Sequence, residues 1–252
     1  MIGSKRSPLR VELLTDRVVP SVTVVQEGTT LTVTGDQQAN DIAITDGGTA
    51  AGLTVTVDGT DYPVTGDVET ILIIGRSGGD TVSYELEEGF AGTTRTIEAE
   101  LGNGHDTFAA NLDVGIDAAS WLTFRVNGGN GKDDLSVAGA GDAALAGNLV
   151  VELDGGNGKD VLDLSWEGLV TGSIDLTADG GNGVDTITGD VTDAGATASV
   201  KALVLGGGGK DDLTLSVVGD AAATVDATID GGRGRDKVTS TDNVDVLDAD
   251  AI

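Results

Sequence analysis

The sequence predicts an all-β fold, a parallel β-solenoid or β-roll with coils of about 26 residues and an N-terminal β-hairpin cap. Three observations carry that prediction. A Gly-rich hexapeptide ending in aspartate recurs seven times, with successive aspartates 25 to 27 residues apart. Apolar residues alternate at period 2 on either side of each loop, the pattern of half-buried strands. Aromatic residues make up only 3% of the 252, against 40 glycines and three prolines, a mix suited to strands of small stackable side chains rather than to a bulky core.

Taken in chain order, residues 1–19 form a basic tail. Lys5, Arg6, Arg10 and Arg17 outweigh Glu12 and Asp16 there, no apolar run of signal-peptide length follows, and the segment is expected to be disordered. Residues 20–68 alternate through Val22-Thr-Val-Val, Leu31-Thr-Val-Thr, Ile42-Ala-Ile-Thr and Leu53-Thr-Val-Thr-Val, with Asp58-Gly59 as a hairpin turn. This block is expected to cap the open edge of the first coil, and it carries a degenerate loop, Asp36-Gln-Gln-Ala-Asn-Asp41, aligned on Asp41.

Residues 69–240 are the repeat itself, each unit a strand, a turn, a second strand and a Gly-rich loop. Stacked in register, about seven such coils bury continuous aliphatic ladders and span on the order of 30–35 Å at the ~4.8 Å strand spacing. Glu69 and Arg95 stand where later coils are apolar, so the first two coils are expected to be distorted or solvated on that side. Residues 241–252 form a short acidic tail without an evident cap, which leaves self-association through the C-terminal edge open.

The charge balance excludes several classes of function. A formal net charge of −28 disfavours nucleic acid and anionic lipid as partners, and no run is long enough for membrane insertion as a helix. Without cysteine there is no disulfide framework, thiolate site or cysteine nucleophile. The single histidine, His105, leaves little for imidazole chemistry.

The loops themselves point to a hard cation. Glycine permits the backbone to turn tightly and brings carbonyls together, and each loop ends in a carboxylate: Asp80, Asp106, Asp133, Asp160, Asp185, Asp211 and Asp236. Stacked about 5 Å apart, seven like charges oppose folding unless something neutralises them. An all-oxygen site in flexible loops suits Ca²⁺, which takes six to eight oxygens, better than Mg²⁺. The plainer alternative is that the glycines only turn corners and the aspartates cap them through backbone N–H groups.

Runs such as Gly128-Gly-Asn-Gly-Lys-Asp-Asp-Leu135 and Gly155-Gly-Asn-Gly-Lys-Asp-Val-Leu162 resemble the calcium-binding nonapeptide of the RTX (haemolysin-type) β-roll family. The resemblance covers about residues 75–240. It implies Ca²⁺ held between stacked loops by the seven aspartates, Asp80 less well because its glycines are displaced. The carbonyl ligands it implies are Gly128, Asn130, Gly155, Asn157, Gly180, Asn182, Gly206, Gly208, Gly231 and Arg233. It also implies secretion, with folding completed in extracellular calcium. One loop per coil, where the family runs its nonapeptides in tandem, predicts a single row of at most about six ions. Separately, Arg10-Val-Glu-Leu-Leu-Thr-Asp-Arg-Val-Val-Pro-Ser21 is similar to a short N-terminal motif of exported planctomycete proteins, which implies a bacterial secreted or surface protein.

The function expected from these features is non-enzymatic: a secreted or cell-surface calcium-binding solenoid, structural or adhesive, with calcium ions and cell-surface polysaccharide or other surface proteins as its partner classes. Two alternatives stand beside it. One is a polysaccharide-acting enzyme, for which Trp121 and Trp166 would be the sugar-stacking candidates. The other is an ice- or crystal-surface binder, which needs Thr-x-Thr pairs such as Thr30-Leu-Thr32 to recur from coil to coil, and they do not.

Overall fold

The computed structural model describes residues 22–241 and 244–247. Every regular element among them is a strand. They form two sheets, one of 14 strands and one of 10, and successive coils contribute neighbouring strands to each. Pairing is parallel and in register: Leu122 faces Leu149, Leu149 faces Ile174, and Ile174 faces Val200. On the other sheet Phe108, Leu135, Leu162, Ile187 and Leu213 follow the same rule. The expected β-solenoid with its 26-residue coil is therefore the fold of this chain.

The period-2 alternation decides which side chains go inside. In the strands Thr94–Gly104 and Trp121–Gly131 every second residue is buried as far as Leu101 and Gly128, and the residues between face outward. The core lies between the two sheets, with Tyr84, Phe108 and Phe124 packed edge to face at centroid distances of 5.3 and 6.0 Å. Burying each such side chain contributes about 1.5–3 kcal/mol. Because each residue meets its own equivalent in the next coil, volume must also be balanced along a column. The fully buried Trp166 ring lies against Gly139, its partner one coil back, where a Cβ would collide with it.

The corner opposite the Gly-rich loops is closed by a third, minimal ladder. Phe90, Ile116, Leu145, Val170 and Ala194 stack there through single parallel bridges, all buried. The sequence marks this corner only by small residues and an aspartate, because its length varies from coil to coil.

The segment expected as a cap supplies both a coil and its cover. Thr30–Thr34 and Asp41–Asp46 pair in parallel with the next coil. Thr23–Glu27 then covers the first edge antiparallel, and Leu53–Val57 with Thr60–Tyr62 covers the second. The hairpin turn at Asp58-Gly59 forms as expected, with both residues at positive φ (49° and 73°). At the other end Asp245–Leu247, inside the expected acidic tail, adds one more parallel strand. The basic tail and the export-like motif lie outside the described residues.

One expectation for the early coils is corrected. Glu69 is exposed, but Arg95 is fully buried and neither distorts nor wets its coil. Its Nε donates to Asp46 Oδ2 at 2.9 Å and its Nη2 to Asp46 Oδ1 at 3.2 Å and to the Thr49 carbonyl at 2.9 Å. Tyr84 donates its hydroxyl to the same carboxylate at 2.6 Å. The two sheets are thus joined across the core by a buried ion pair in columns that later coils fill with Leu122 and Leu149 on one side and Leu86 and Leu112 on the other.

Arg95→Ala leaves Asp46 charged and unpaired in the core, and is expected to cost about 3–5 kcal/mol in chemical denaturation. Replacing both partners, Arg95→Leu with Asp46→Val, is expected to recover most of that loss. A double variant no more stable than the single one would show that the pair is favourable in itself.

Candidate metal centre

Two of the loop glycines are demanded by stacking alone. The second glycine of each loop (Gly102, Gly129, Gly156, Gly181, Gly207 and Gly232) is left-handed, with φ between 81° and 106°, where a Cβ is strained. A Cβ there would also strike the carbonyl oxygen of the preceding coil's loop, and the same holds at Gly131, Gly158 and Gly209 two positions on. The loop backbones then pair coil to coil: Asn182 N–H donates to the Gly156 carbonyl, Gly208 N–H to Gly181 and Arg233 N–H to Gly207, at 2.7–2.8 Å. Only Arg76 takes the left-handed conformation as a non-glycine in this row, at φ 83°, which accounts for the displaced glycines of the Asp80 loop.

The aspartates form a second, side-chain ladder beneath the loops. Asp80 N–H donates to Asp106 Oδ1 at 2.7 Å, and Asp106, Asp133, Asp160 and Asp185 each donate to the next aspartate at 2.8 Å. Asp211 N–H donates to Asp236 at 2.9 Å. Asp80 through Asp211 are at most 2% exposed. One carboxylate oxygen of each residue is therefore satisfied by the coil before it.

The other oxygen is not. Oδ2 of Asp80, Asp106, Asp133, Asp160, Asp185, Asp211 and Asp236 is buried with no hydrogen-bond partner. In every loop but that of Asp106, which opens on Leu101, it points at the loop's first glycine: Asp160 Oδ2 lies 2.9 Å from where a Gly155 Cβ would sit, and Asp133 Oδ2 lies 2.7 Å from that point on Gly128. The carbonyl oxygen of the next coil's first glycine reaches the same place. Gly180 O is 2.9 Å from the Gly155 position, Gly206 O is 2.9 Å from Gly180, and Gly231 O is 2.5 Å from Gly206. Two acceptors thus lie within 3.0 Å of the same point in each of these coils, and a proton or a cation there would answer the bare carboxylate oxygen.

The carboxyls respond to this burial. Asp80, Asp160 and Asp185 are pushed up to about 6, first by desolvation and then, against the hydrogen bond from the preceding coil, by neighbouring carboxylates. Asp106, Asp133 and Asp211 are raised for the same leading reason.

The structure divides the sequence-derived site residues into two sets. The aspartates and the first glycines Gly128, Gly155, Gly180, Gly206 and Gly231 come together. Asn130, Asn157, Asn182, Gly208 and Arg233 stand on the outer rim. There the asparagines form a ladder of their own, with Asn130 Nδ2 donating to Asn103 Oδ1, Asn157 to Asn130 and Asn182 to Asn157 at 3.0–3.1 Å. Sequence reasoning also placed the first loop one residue off. Asn40, not Asp41, fills the aspartate slot: its N–H donates to Asp80 Oδ1 at 2.8 Å and its Oδ1 accepts Asp36 N–H at 3.0 Å, while Asp41 pairs with Thr81. The spacing Gly35-to-Asn40 matches Gly75-to-Asp80 and was the available signal.

The residues present fit a hard cation in donor chemistry, since every converging atom is oxygen. Among the described residues no three acidic or histidine side chains converge, so a cation here would rest on one carboxylate oxygen per coil together with main-chain carbonyls. No family model matches the chain, and no curated protein or solved structure shows significant similarity to it.

The raised carboxyls set a pH dependence of unusual sign. A group whose folded value lies above its unfolded one stabilises the fold when protonated, fully so below about 4, and loses that contribution as pH rises through about 6. In EDTA the urea midpoint, followed by circular dichroism, is therefore expected to rise as pH falls from 7 towards 5. A midpoint that drops over that interval would mean the ladder is stable as ionised carboxylates.

Proposed function

We propose that this chain is a non-enzymatic, calcium-stabilised rod that works outside the cell as a structural or adhesive module. The observation that carries the reading is the row of seven buried carboxylate oxygens without partners. Asp80, Asp106, Asp133, Asp160, Asp185, Asp211 and Asp236 would hold the ions, with the carbonyls of Gly180, Gly206 and Gly231 completing the inner side. Bound Ca²⁺ would supply positive charge to a row of acids that otherwise oppose one another. Each site occupied only in the folded state adds about 2.7 kcal/mol at a hundred times its Kd, so a few sites suffice to make folding depend on the ion.

The likeness of the loops to the RTX nonapeptide supports the same cation, and calcium-dependent folding suits a compartment where calcium is abundant. An enzymatic reading has less to rest on. The conspicuous acids are tied into a stacked ladder rather than gathered in a cleft, and of the two tryptophans Trp166 is buried while Trp121 stands 51% exposed on the surface.

Asn40 suggests the sharpest test, because it shows what an amide does in the ladder. Asp160→Asn with Asp185→Asn keeps the Oδ1 acceptor and places an N–H₂ donor against the Gly180 and Gly206 carbonyls. In EDTA this variant is expected to be more stable than the parent, while Ca²⁺, with Mg²⁺ as control, should raise its thermal midpoint less. If calorimetry detects no calcium on the parent chain and EDTA leaves its melting unchanged, the calcium reading is wrong and the ladder is held by protons.

A further inference from the structure

The described residues include ten lysines and arginines, and they divide cleanly. Arg95, Arg125, Lys201 and Lys237 are in ion pairs. Arg76, Lys132, Lys159, Lys210, Arg233 and Arg235 have none among the described residues, and all six are exposed side chains of the Gly-rich loops. Strongly acidic as the chain is, the unpaired cations among its described residues are gathered on one ridge along the rod.

The residue before each ladder aspartate forms the crest of that ridge. From the third Gly-rich loop to the last it reads Lys132, Lys159, Val184, Lys210, Arg235, one per coil. Adjacent positions are therefore about 4.8 Å apart.

An acidic groove of about 530 Å³ runs along the outer face of the larger sheet. Glu98, Glu100, Glu152, Asp154 and Asp179 line it with a single guanidinium, Arg125, which bridges Glu98 and Glu152 at 3.7 and 3.0 Å. The column nearest the loops reads Glu100, Asn127, Asp154, Asp179 in successive coils.

Both rows share the coil repeat, and both carry their one neutral member in matching position. Lys159, Val184, Lys210 and Arg235 match Glu100, Asn127, Asp154 and Asp179 coil for coil. The ridge has the same charge pattern in reverse, so a neighbour fits in either polarity. We propose that the cationic ridge of one copy docks along the acidic groove of a second copy, so that the rods associate side by side.

Such a contact joins two different patches and leaves a free groove on one copy and a free ridge on the other, so further copies can add to form lateral arrays. The bulk charge of −28 opposes approach at long range. At physiological ionic strength screening acts beyond about 8 Å, and the contacting rows decide the outcome. The docking side chains are not themselves among the calcium ligands proposed above, although each ridge cation directly precedes a ladder aspartate, and the inference does not rest on that reading.

Sedimentation of the full chain across a salt series, with and without Ca²⁺ and with folding followed by circular dichroism, tests the proposal. Concentration-dependent association is expected at physiological ionic strength, where the bulk repulsion is screened, and is expected to weaken as salt rises further. Reversing the ridge (Lys159→Glu, Lys210→Glu and Arg235→Glu) or the groove (Glu100→Lys, Asp154→Lys and Asp179→Lys) should each weaken self-association about tenfold or more. Mixing the two variants should restore it, because one then offers a basic ridge and the other an acidic groove. The proposal is overturned by a parent chain that stays monomeric at every salt concentration, or by variants that associate as well as the parent. Ridge-dependent binding of dextran sulfate by a monomeric parent would also overturn it and assign the ridge to a polyanion instead.

Discussion

The constraint on which the rest of this molecule depends is that each coil repeats the one before it in register. In a parallel solenoid the neighbour of every side chain is its own equivalent, so whatever one coil places at a position is multiplied along the axis. For aliphatic positions this is simply favourable: Leu122, Leu149, Ile174 and Val200 make one continuous buried column. For a carboxylate it is not. Seven aspartates occupy one interior column, and the backbone N–H groups of that column can answer only one oxygen apiece.

The chain meets this demand of self-neighbouring in different ways at different positions. Neutral amides suit stacking, since an asparagine both donates and accepts, and the outer rim carries a ladder of them. Bulk is handled by pairing large with small, as Trp166 does with Gly139. Charge on the exposed faces is broken by opposites, as where Arg125 stands between Glu98 and Glu152. Glycines are required wherever one loop's carbonyl comes to rest on the next loop's Cα. The aspartate ladder alone is left with half its acceptors unanswered, and that exception makes it the candidate site.

The N-terminal end shows how such a stack begins. Its first coil replaces the aspartate with Asn40, whose Nδ2 reaches Asp58 at 3.3 Å, so the acceptor row opens on a residue that brings its own donor. Antiparallel strands cover both sheet edges there, which blocks further parallel addition. The buried Arg95–Asp46 pair with Tyr84 sits just behind this cover. Three hydrogen-bonded polar groups must meet across the core there, which fixes how the first coils face one another more tightly than interchangeable aliphatic contacts can.

By itself the sequence determined the architecture, because periodicity is a local property. Seven Gly-rich loops at 25- to 27-residue spacing and alternation at period 2 are enough to place the strands, the coil length and the column of aspartates. It could not show which oxygen of Asp160 is bonded and which is bare, since that depends on a backbone N–H 27 residues earlier. Nor could it show the apolar second corner through Phe90, Ile116 and Leu145, whose irregular spacing hides the ladder. Arg95 read as a flaw in an apolar column because its partner, Asp46, lies 49 residues away on the opposite sheet. The segregation of the unpaired cations onto one ridge was hidden for the same reason: pairing across coils is a property of stacked neighbours, and only the tertiary structure decides which residues those are.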